Sequence, residues 1–335
     1  MAKTIDFHAH MLPDAIKQVR GTGKEWFGTL VEDTAQGTPS LVTSGRRSNM
    51  GSAAYWERPE ARLERMDADG VDVQVVTVAP FMFRYEIPIG DGLPAAQIIN
   101  DELSSWHERW PDRFLSMATL PLQEVDAALA ELERVASLPG MVGVAVATHV
   151  DGENWDSPRL RPIVQAIESL SMMLFFHPNH HRAGESLARY HLSNMIGHPL
   201  ETAIAIASLI FGGVLDQVPD LRALFAHAGG FAPGNVGRFD HGSQVREDSG
   251  SSRLPSLYMQ ELFFDSLRHR GAALRHLIDL VGIDQVVLGT DHPADMGVAS
   301  PVKWLAAQPE LRKPEVEQIL SGNAPRLLGR RAGSA

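Results

Sequence analysis

The sequence predicts an α/β protein: a (β/α)8, TIM-like barrel with a small insertion, or cap, subdomain after its first strand. Three observations carry that reading. Eight short apolar or β-branched runs alternate with segments of helical periodicity. Several of the runs, such as VDVQVVTVAP and SMMLFFHP, are continuously apolar, the pattern of strands covered on both faces. No glycine-rich phosphate loop follows any run, which argues against an open dinucleotide-binding sheet.

In chain order the candidate strands are Thr4–His8, Val71–Ala79, Phe114–Leu120, Val142–Thr148, Met172–His177, Leu221–Ala226, Leu262–Asp265 and Gln285–Gly289. Helical segments fall between them. PEARLERMDADG starts on Pro59, whose missing N–H is not needed in a first turn, and stops on Gly70, the usual residue just past a helix end. EVDAALAELERVASLPG repeats the pattern, with Pro139-Gly140 as its stop. One segment breaks the rhythm. Residues 13–58, rich in Gly, Thr and Ser, far exceed the ~2–6 residues of an ordinary βα connection. In a barrel they would lie over the C-terminal face, where barrel sites are built, and they are read as the cap. The whole chain, residues 1–335, reads as one barrel domain with GRRAGSA as a frayed end.

The 335 residues carry a net charge of −11, with 44% hydrophobic and 21% charged side chains. A large core is therefore available, and disorder of the whole chain is excluded. The acidic balance argues against a nucleic-acid partner, and it means that a small anionic substrate needs a local arginine. With no cysteine, disulfides and thiolate metal sites are excluded, so a transition metal must be held by His, Asp or Glu. The N-terminus lacks a basic-then-apolar secretory signal, and no apolar run is expected to reach membrane-spanning length. A soluble cytoplasmic protein without a membrane partner is the expectation.

Candidate chemistry collects where the strands run out. The first ends in His8-Ala9-His10, and residues two apart on a strand face one way. The fifth ends at His177 in FFHPNHH, the sixth at His227 in FAHAGG, and the eighth at Asp291 in LGTDHP. Barrel enzymes keep their sites on that face. His8, His10, His177 and Asp291 make an N3O donor set that suits Zn²⁺ or Mn²⁺. His227 is then either a fifth contact or an acid/base beside a metal-activated water. The fourth strand, MVGVAVATHV, has no lysine or glutamate to bridge two ions, which favours one divalent metal per chain. His149, at the end of that strand, is a further site candidate. His180 and His181 read as loop residues.

These residues resemble the amidohydrolase superfamily, and within it the branch of aminocarboxymuconate-semialdehyde decarboxylase-like enzymes. The similarity extends to stretches without a metal role, including ARLERMDADGVDVQVVTVAPFMF, RFLSMATLPLQ and PLETAIAIASLIFGGVLDQVPDLRALFAHAGG. The resemblance implies that His8, His10, His177 and Asp291 are zinc ligands and that His227 activates the metal-bound water. It implies a non-oxidative decarboxylation without an organic cofactor. The water protonates the carbon bearing the carboxylate and CO₂ leaves, while His227 and Asp291 manage the proton. Arg238, in NVGRFD, matches an arginine that reaches across a homodimer interface to the neighbouring site, where a guanidinium can grip a carboxylate with two bonds. Two positions depart from the family. His191 stands where a substrate-site tryptophan is expected, and Asn49 aligns near a second arginine, with Arg46 and Arg47 close but out of register.

The leading reading is a metal-dependent decarboxylase acting on an aromatic or ring-cleavage, muconate-like carboxylic acid, with Zn²⁺ as the ion and Mn²⁺ as the other choice. The rival is a metal-dependent hydrolase on the same scaffold, cutting a C–C, C–N or ester bond. A non-catalytic metal-binding protein is the third. His149, Arg46, Arg47, His191 and Arg238 are the candidates for holding the substrate.

Overall fold

Eight apolar segments fall at the positions expected of barrel strands and pair in parallel. The computed structural model describes residues 2–334 other than Gln36, Met50 and Gly51; the last three belong to the expected cap segment and lie outside the described residues. The barrel strands are β1 (Ile5–Met11), β5 (Val73–Val78), β6 (Phe114–Ala118), β7 (Met141–Ala147), β8 (Met173–His177), β9 (Ala223–Phe225), β10 (Phe263–Asp265) and β11 (Val286–Val287). They neighbour one another in chain order, the arrangement of a strand–helix barrel. β5, β6, β7 and β8 are buried along their whole length, which is why their sequences read as unbroken apolar runs.

The first and last strands meet at a seam. Phe7 N donates to Leu288 O at 2.9 Å, Asp291 N donates to His8 O at 2.8 Å, and His10 N donates to His292 O at 2.6 Å. The closing contacts therefore run through the very residues that carry candidate ligands.

Between β1 and β5 lie the helix α1 (Asp14–Val19) and a separate antiparallel sheet of β2 (Thr29–Asp33), β3 (Pro39–Thr43) and β4 (Arg46–Asn49). Its strands are short, and the outer residues of β2, Glu32 and Asp33, are exposed. Arg84 ties this sheet to the barrel: its guanidinium donates to Thr29 Oγ1 at 2.7 Å and to Phe27 O at 3.1 Å.

The helix α2 (Pro59–Asp69) begins on Pro59 and is capped by Gly70 with φ 75°, as the sequence pattern requires. α3 (Ile89–Arg109), α4 (Val125–Ala136) and α5 (Arg161–Ser169) follow their strands and turn apolar faces inward. One expectation is corrected. The helical run Ser193–Phe211, which includes α6 (His198–Phe211), has 19 residues and a mean hydropathy of 1.2, long and apolar enough to cross a membrane by length and composition. Here it packs against the barrel. Ala205, Ile206, Leu209 and Ile210 are fully buried, each larger side chain contributing ~1.5–3 kcal/mol, and Glu201 is buried against Arg182 at 2.7 Å. Continuous apolarity on this helix reflects the broad core it covers.

Candidate metal centre

Strand alternation accounts for the first donors. The His8 and His10 rings meet edge to face with centroids 5.0 Å apart, and both residues, like Asp6, are completely buried. His177 is the last residue of β8, His227 follows β9, and Asp291 follows β11, so all five functional candidates gather at one end of the barrel. His8 Nε2 lies 3.1 Å from His10 Nε2 and 3.2 Å from Asp291 Oδ1. His10 Nε2 is 3.1 Å from that same oxygen, and His177 Nε2 is 4.0 Å from it. His227 Nε2 stands 3.5 Å from Asp291 Oδ2. One donor atom from each of His8, His177, His227 and Asp291 falls within 4.8 Å of the others. His227 is thus as near the centre as the expected ligands, and its side chain, 20% exposed, is the most open of the five.

The chemistry of this cluster fits a cation. His8 Nδ1 lies 2.6 Å from Asp265 Oδ2 and His177 Nδ1 lies 2.7 Å from Pro178 O. Each oxygen is an acceptor, so each ring places a proton on Nδ1 and turns Nε2 toward the centre. His177 Nε2 is buried and has no hydrogen-bond partner. Two imidazole Nε2 atoms and a carboxylate oxygen consequently face one another across short distances, an arrangement that a positive charge among them stabilises. The titration behaviour says the same. Burial opposes charging His8, yet Asp291 and Asp265 push it up to about 10. Burial pushes His10 down to about 4, and burial with three neighbouring imidazoles holds His177 well below the ordinary range. Burial would raise Asp291, but His8 and the other imidazoles hold it well below the usual carboxylate range. A proton on His8 balances Asp291 here, and a divalent cation held by nitrogen and oxygen donors would take its place.

The candidates for substrate contact divide into two groups. Arg46, His149, His180 and His181 line a cavity of about 230 Å³ together with Tyr85, Asn179 and Arg182. His180 and His181 follow His177 closely, which puts this cavity beside the end of β8. Gly152 N donates to His149 Nδ1 at 3.1 Å, so the proton of that ring sits on Nε2, a buried donor without a partner. Burial pushes His149 down, and burial with Arg46 pushes His180 down to about 4, so both rings are neutral hydrogen-bonding groups. Arg47 points to the other face of β4, where it pairs with Glu32 and donates to Ser40 Oγ at 2.6 Å. Arg238 is exposed on the helix α7 (Val236–Val245), and His191 is exposed in a turn where Tyr190 and His191 have φ 59° and 56°. Neither makes a side-chain hydrogen bond or ion pair among the described residues. A larger cavity, about 450 Å³, lies between α2 and the chain after Asp291, and none of the five donors lines either cavity.

Two residues near the centre were not singled out in the sequence. Asp265, fully buried, fixes the His8 proton. It closes the LFFD run, the same end-of-strand position that marks the other ligands, and that signal could have found it. His198 stacks on His227 with ring centroids 6.4 Å apart, and burial and His227 push it down to about 3. A histidine at the start of a helix gives no comparable sign.

A parallel eight-stranded barrel whose strand ends bring imidazoles and a carboxylate onto one point defines a barrel with a single-cation centre. A family model described as amidohydrolase matches residues 5–330, and the chain belongs to that family. A 2-amino-3-carboxymuconate-6-semialdehyde decarboxylase of Dictyostelium discoideum is 33% identical over 331 residues, 97% of this chain and 91% of its own. A gamma-resorcylate decarboxylase of Rhodococcus jostii is 29% identical over 287 residues, 76% of this chain and 84% of its own. The crystal structure of 2,6-dihydroxybenzoate decarboxylase from Rhizobium superposes with a TM-score of 0.78 at 25% identity, covering 98% of this chain and 99% of that one. The resemblance read from the residues and the barrel expected from the strand pattern are both borne out.

Proposed function

We propose that this protein is a metal-dependent, non-oxidative decarboxylase of an aromatic or ring-cleavage, muconate-like carboxylic acid. The observation that carries the reading is a buried set of three imidazoles and one carboxylate with a further imidazole, His227, at its open edge. The decarboxylase activities of the Dictyostelium and Rhodococcus relatives support the same class of chemistry. His8, His10, His177 and Asp291 would hold one divalent ion, Zn²⁺ in this proposal with Mn²⁺ as the other ion these donors accept. Such an ion supplies a Lewis acid that polarises substrate oxygen atoms and neutralises their charge.

The chain's own groups do the rest. His227 holds a proton at the edge of the cluster, with Nε2 toward Asp291 and Nδ1 unpartnered. Delivering that proton to the carbon bearing the carboxylate forms a new C–H bond. The C–C bond to the carboxylate then breaks, CO₂ leaves, and the bonding pair stays with the carbon skeleton.

Metal-loaded protein incubated with unsaturated or aromatic carboxylates is expected to release one CO₂ per product formed. A hydrolytic product without CO₂ would sink the decarboxylase reading and favour the hydrolase. We assign the cavity beside β8 to the remainder of the substrate, with Arg46 and the Nε2–H of His149 facing its anionic or oxygen-bearing group. Arg46→Ala is expected to raise KM about tenfold or more with kcat nearly unchanged, the loss of one charge-assisted hydrogen bond. An unchanged KM removes Arg46 from the substrate site. The protein is further proposed to be a homodimer with Arg238 near the neighbouring site. In support, α7 buries none of its side chains, and Val245 on it and Leu257 on the adjoining helix Pro255–Met259 are exposed. Sedimentation of a monomer at micromolar concentration would exclude that arrangement.

A further inference from the structure

We propose that Asp265 is a positioning residue that couples His8 to His227 through a single carboxylate. The clause about His227 rests on the proton-handling role proposed above. Oδ2 of Asp265 accepts from His8 Nδ1 at 2.6 Å and from the backbone N–H of His227 at 2.8 Å. Oδ1 accepts from the N–H of Ala228 at 2.7 Å and of Leu267 at 3.1 Å. The three backbone partners are N–H groups, which are donors whatever the protonation of the site, and the fourth is a ring nitrogen able to donate. Four donors and no acceptor surround the side chain, so the position calls for a group that only accepts, an ionised carboxylate. An asparagine of the same shape would have to turn its NH₂ against one of the two donor pairs.

The turn held in this way is one that the chain does not adopt by itself. His227 and Ala228 have φ 53° and 54°, the left-handed region that side chains with a Cβ avoid. Gly229 and Gly230 continue it at φ 74° and 58°, and a Cβ at Gly230 would lie 2.2 Å from Pro199 O. Two of the three N–H groups that Asp265 binds belong to the two strained non-glycine residues. From the opposite side Arg268 donates to Ala228 O at 3.0 Å and to Gly230 O at 3.2 Å. Asp265 and Arg268 therefore grip one turn by its N–H and C=O groups, and only Asp265 also reaches a metal-ligand candidate. Access to His8 depends on Gly289, where a Cβ would meet Asp265 Cβ at 2.6 Å and His8 Cβ at 2.9 Å.

This geometry means that the ring proton of His8 and the aim of the His227 side chain are not independent. A displacement of the carboxylate disturbs both, whereas loss of Arg268 disturbs only the turn. Two variants separate the halves, and two of the three measurements need no substrate. Zn²⁺ affinity is measured by chelator competition, and the ring nitrogens are observed by NMR of protein labelled at histidine. Asp265→Asn is expected to weaken Zn²⁺ binding ~10–100-fold, to abolish the hydrogen-bonded His8 Nδ1–H signal and to move the His227 ring signals together with it. Arg268→Ala is expected to move the His227 signals while leaving Zn²⁺ affinity and the His8 signal unchanged. With Zn²⁺ saturating, both variants are expected to lower kcat with little change in KM.

Wild-type Zn²⁺ affinity in Asp265→Asn, or loss of the His8 signal with unmoved His227 signals, overturns the coupling. A fall in Zn²⁺ affinity in Arg268→Ala as large as in Asp265→Asn overturns it too, because the effect is then a general loosening. Should Asp265→Asn not fold, Asp265→Glu takes its place, and wild-type Zn²⁺ affinity or unmoved His227 signals in that variant overturn the coupling. Absence of CO₂ release by the wild type overturns the proposed activity and leaves the two substrate-free measurements able to test the coupling.

Discussion

Asp291→Ala is expected to leave a folded barrel that retains almost no metal after dialysis and turns over at least ~10⁴-fold more slowly than the wild type. The size of the effect follows from the geometry. Oδ1 of Asp291 lies between 3.1 and 4.0 Å from three imidazole nitrogens, and Oδ2 is 3.5 Å from the fourth. No other carboxylate oxygen belongs to that group of donors, so the substitution removes its only formal negative charge. Metal retention and the proton relay are lost together, and general acid–base catalysis by itself contributes ~10²–10⁴-fold. Elemental analysis after dialysis and initial rates check the two parts separately. A variant with one ion per chain and wild-type kcat would remove Asp291 from the centre.

His227→Gln carries the second largest effect and a different signature. The variant is expected to keep its metal within a few-fold of wild type, to lower kcat by ~10²–10⁴ and to leave KM nearly unchanged. Glutamine fits the space but cannot gain and lose a proton near neutral pH. The backbone of this residue, held by N–H donation to Asp265, does not require the imidazole, so the fold tolerates the change. Because His227 stands inside the same 4.8 Å group as the ligands, the metal measurement is decisive. Metal loss as severe as in Asp291→Ala would make His227 a ligand and leave the proton to another group.

How far the sequence alone reaches depends on whether a signal is local. The barrel strands were legible because a strand buried on both faces must be apolar at every position, as in VQVVTV and MLFFH. His8 and His10 were legible because an alternating strand aims both rings at one point. The remaining ligands were found by their place at the ends of strands, a rule that applied equally to Asp265 and was not followed that far. The sheet of β2, β3 and β4 was not recognised in a segment read by its Gly, Thr and Ser content. Its strands are short antiparallel neighbours in the chain, and the turns between them supply much of the Gly, Thr and Ser by which the segment was read. Arg46 and Arg47 show the limit most clearly. Neighbours on a strand face opposite ways, so one lines the cavity with His149 and the other is spent on Glu32, a choice that depends on which face of β4 meets the barrel. The apolar run of α6 reaches membrane-spanning length against the sequence expectation, since bilayer and protein core make the same demand on a helix face; here the run packs on the barrel, with Glu201 buried against Arg182.

The seam between the first and last strands gives the centre a topological meaning. His10 and Asp291 are 281 residues apart in the chain, and a cation joining them would close a loop almost as long as the protein. Loop closure grows only with the logarithm of length, so such a clip restricts the unfolded chain about as much as any single crosslink can. It also places the centre among the most non-local contacts in the fold, formed when the final strand docks against the first. Metal capture is therefore a report that the barrel has closed. Chelation should be felt first as faster amide exchange of Phe7, His10 and Asp291, the seam donors, while β6 and β7 on the far wall stay protected.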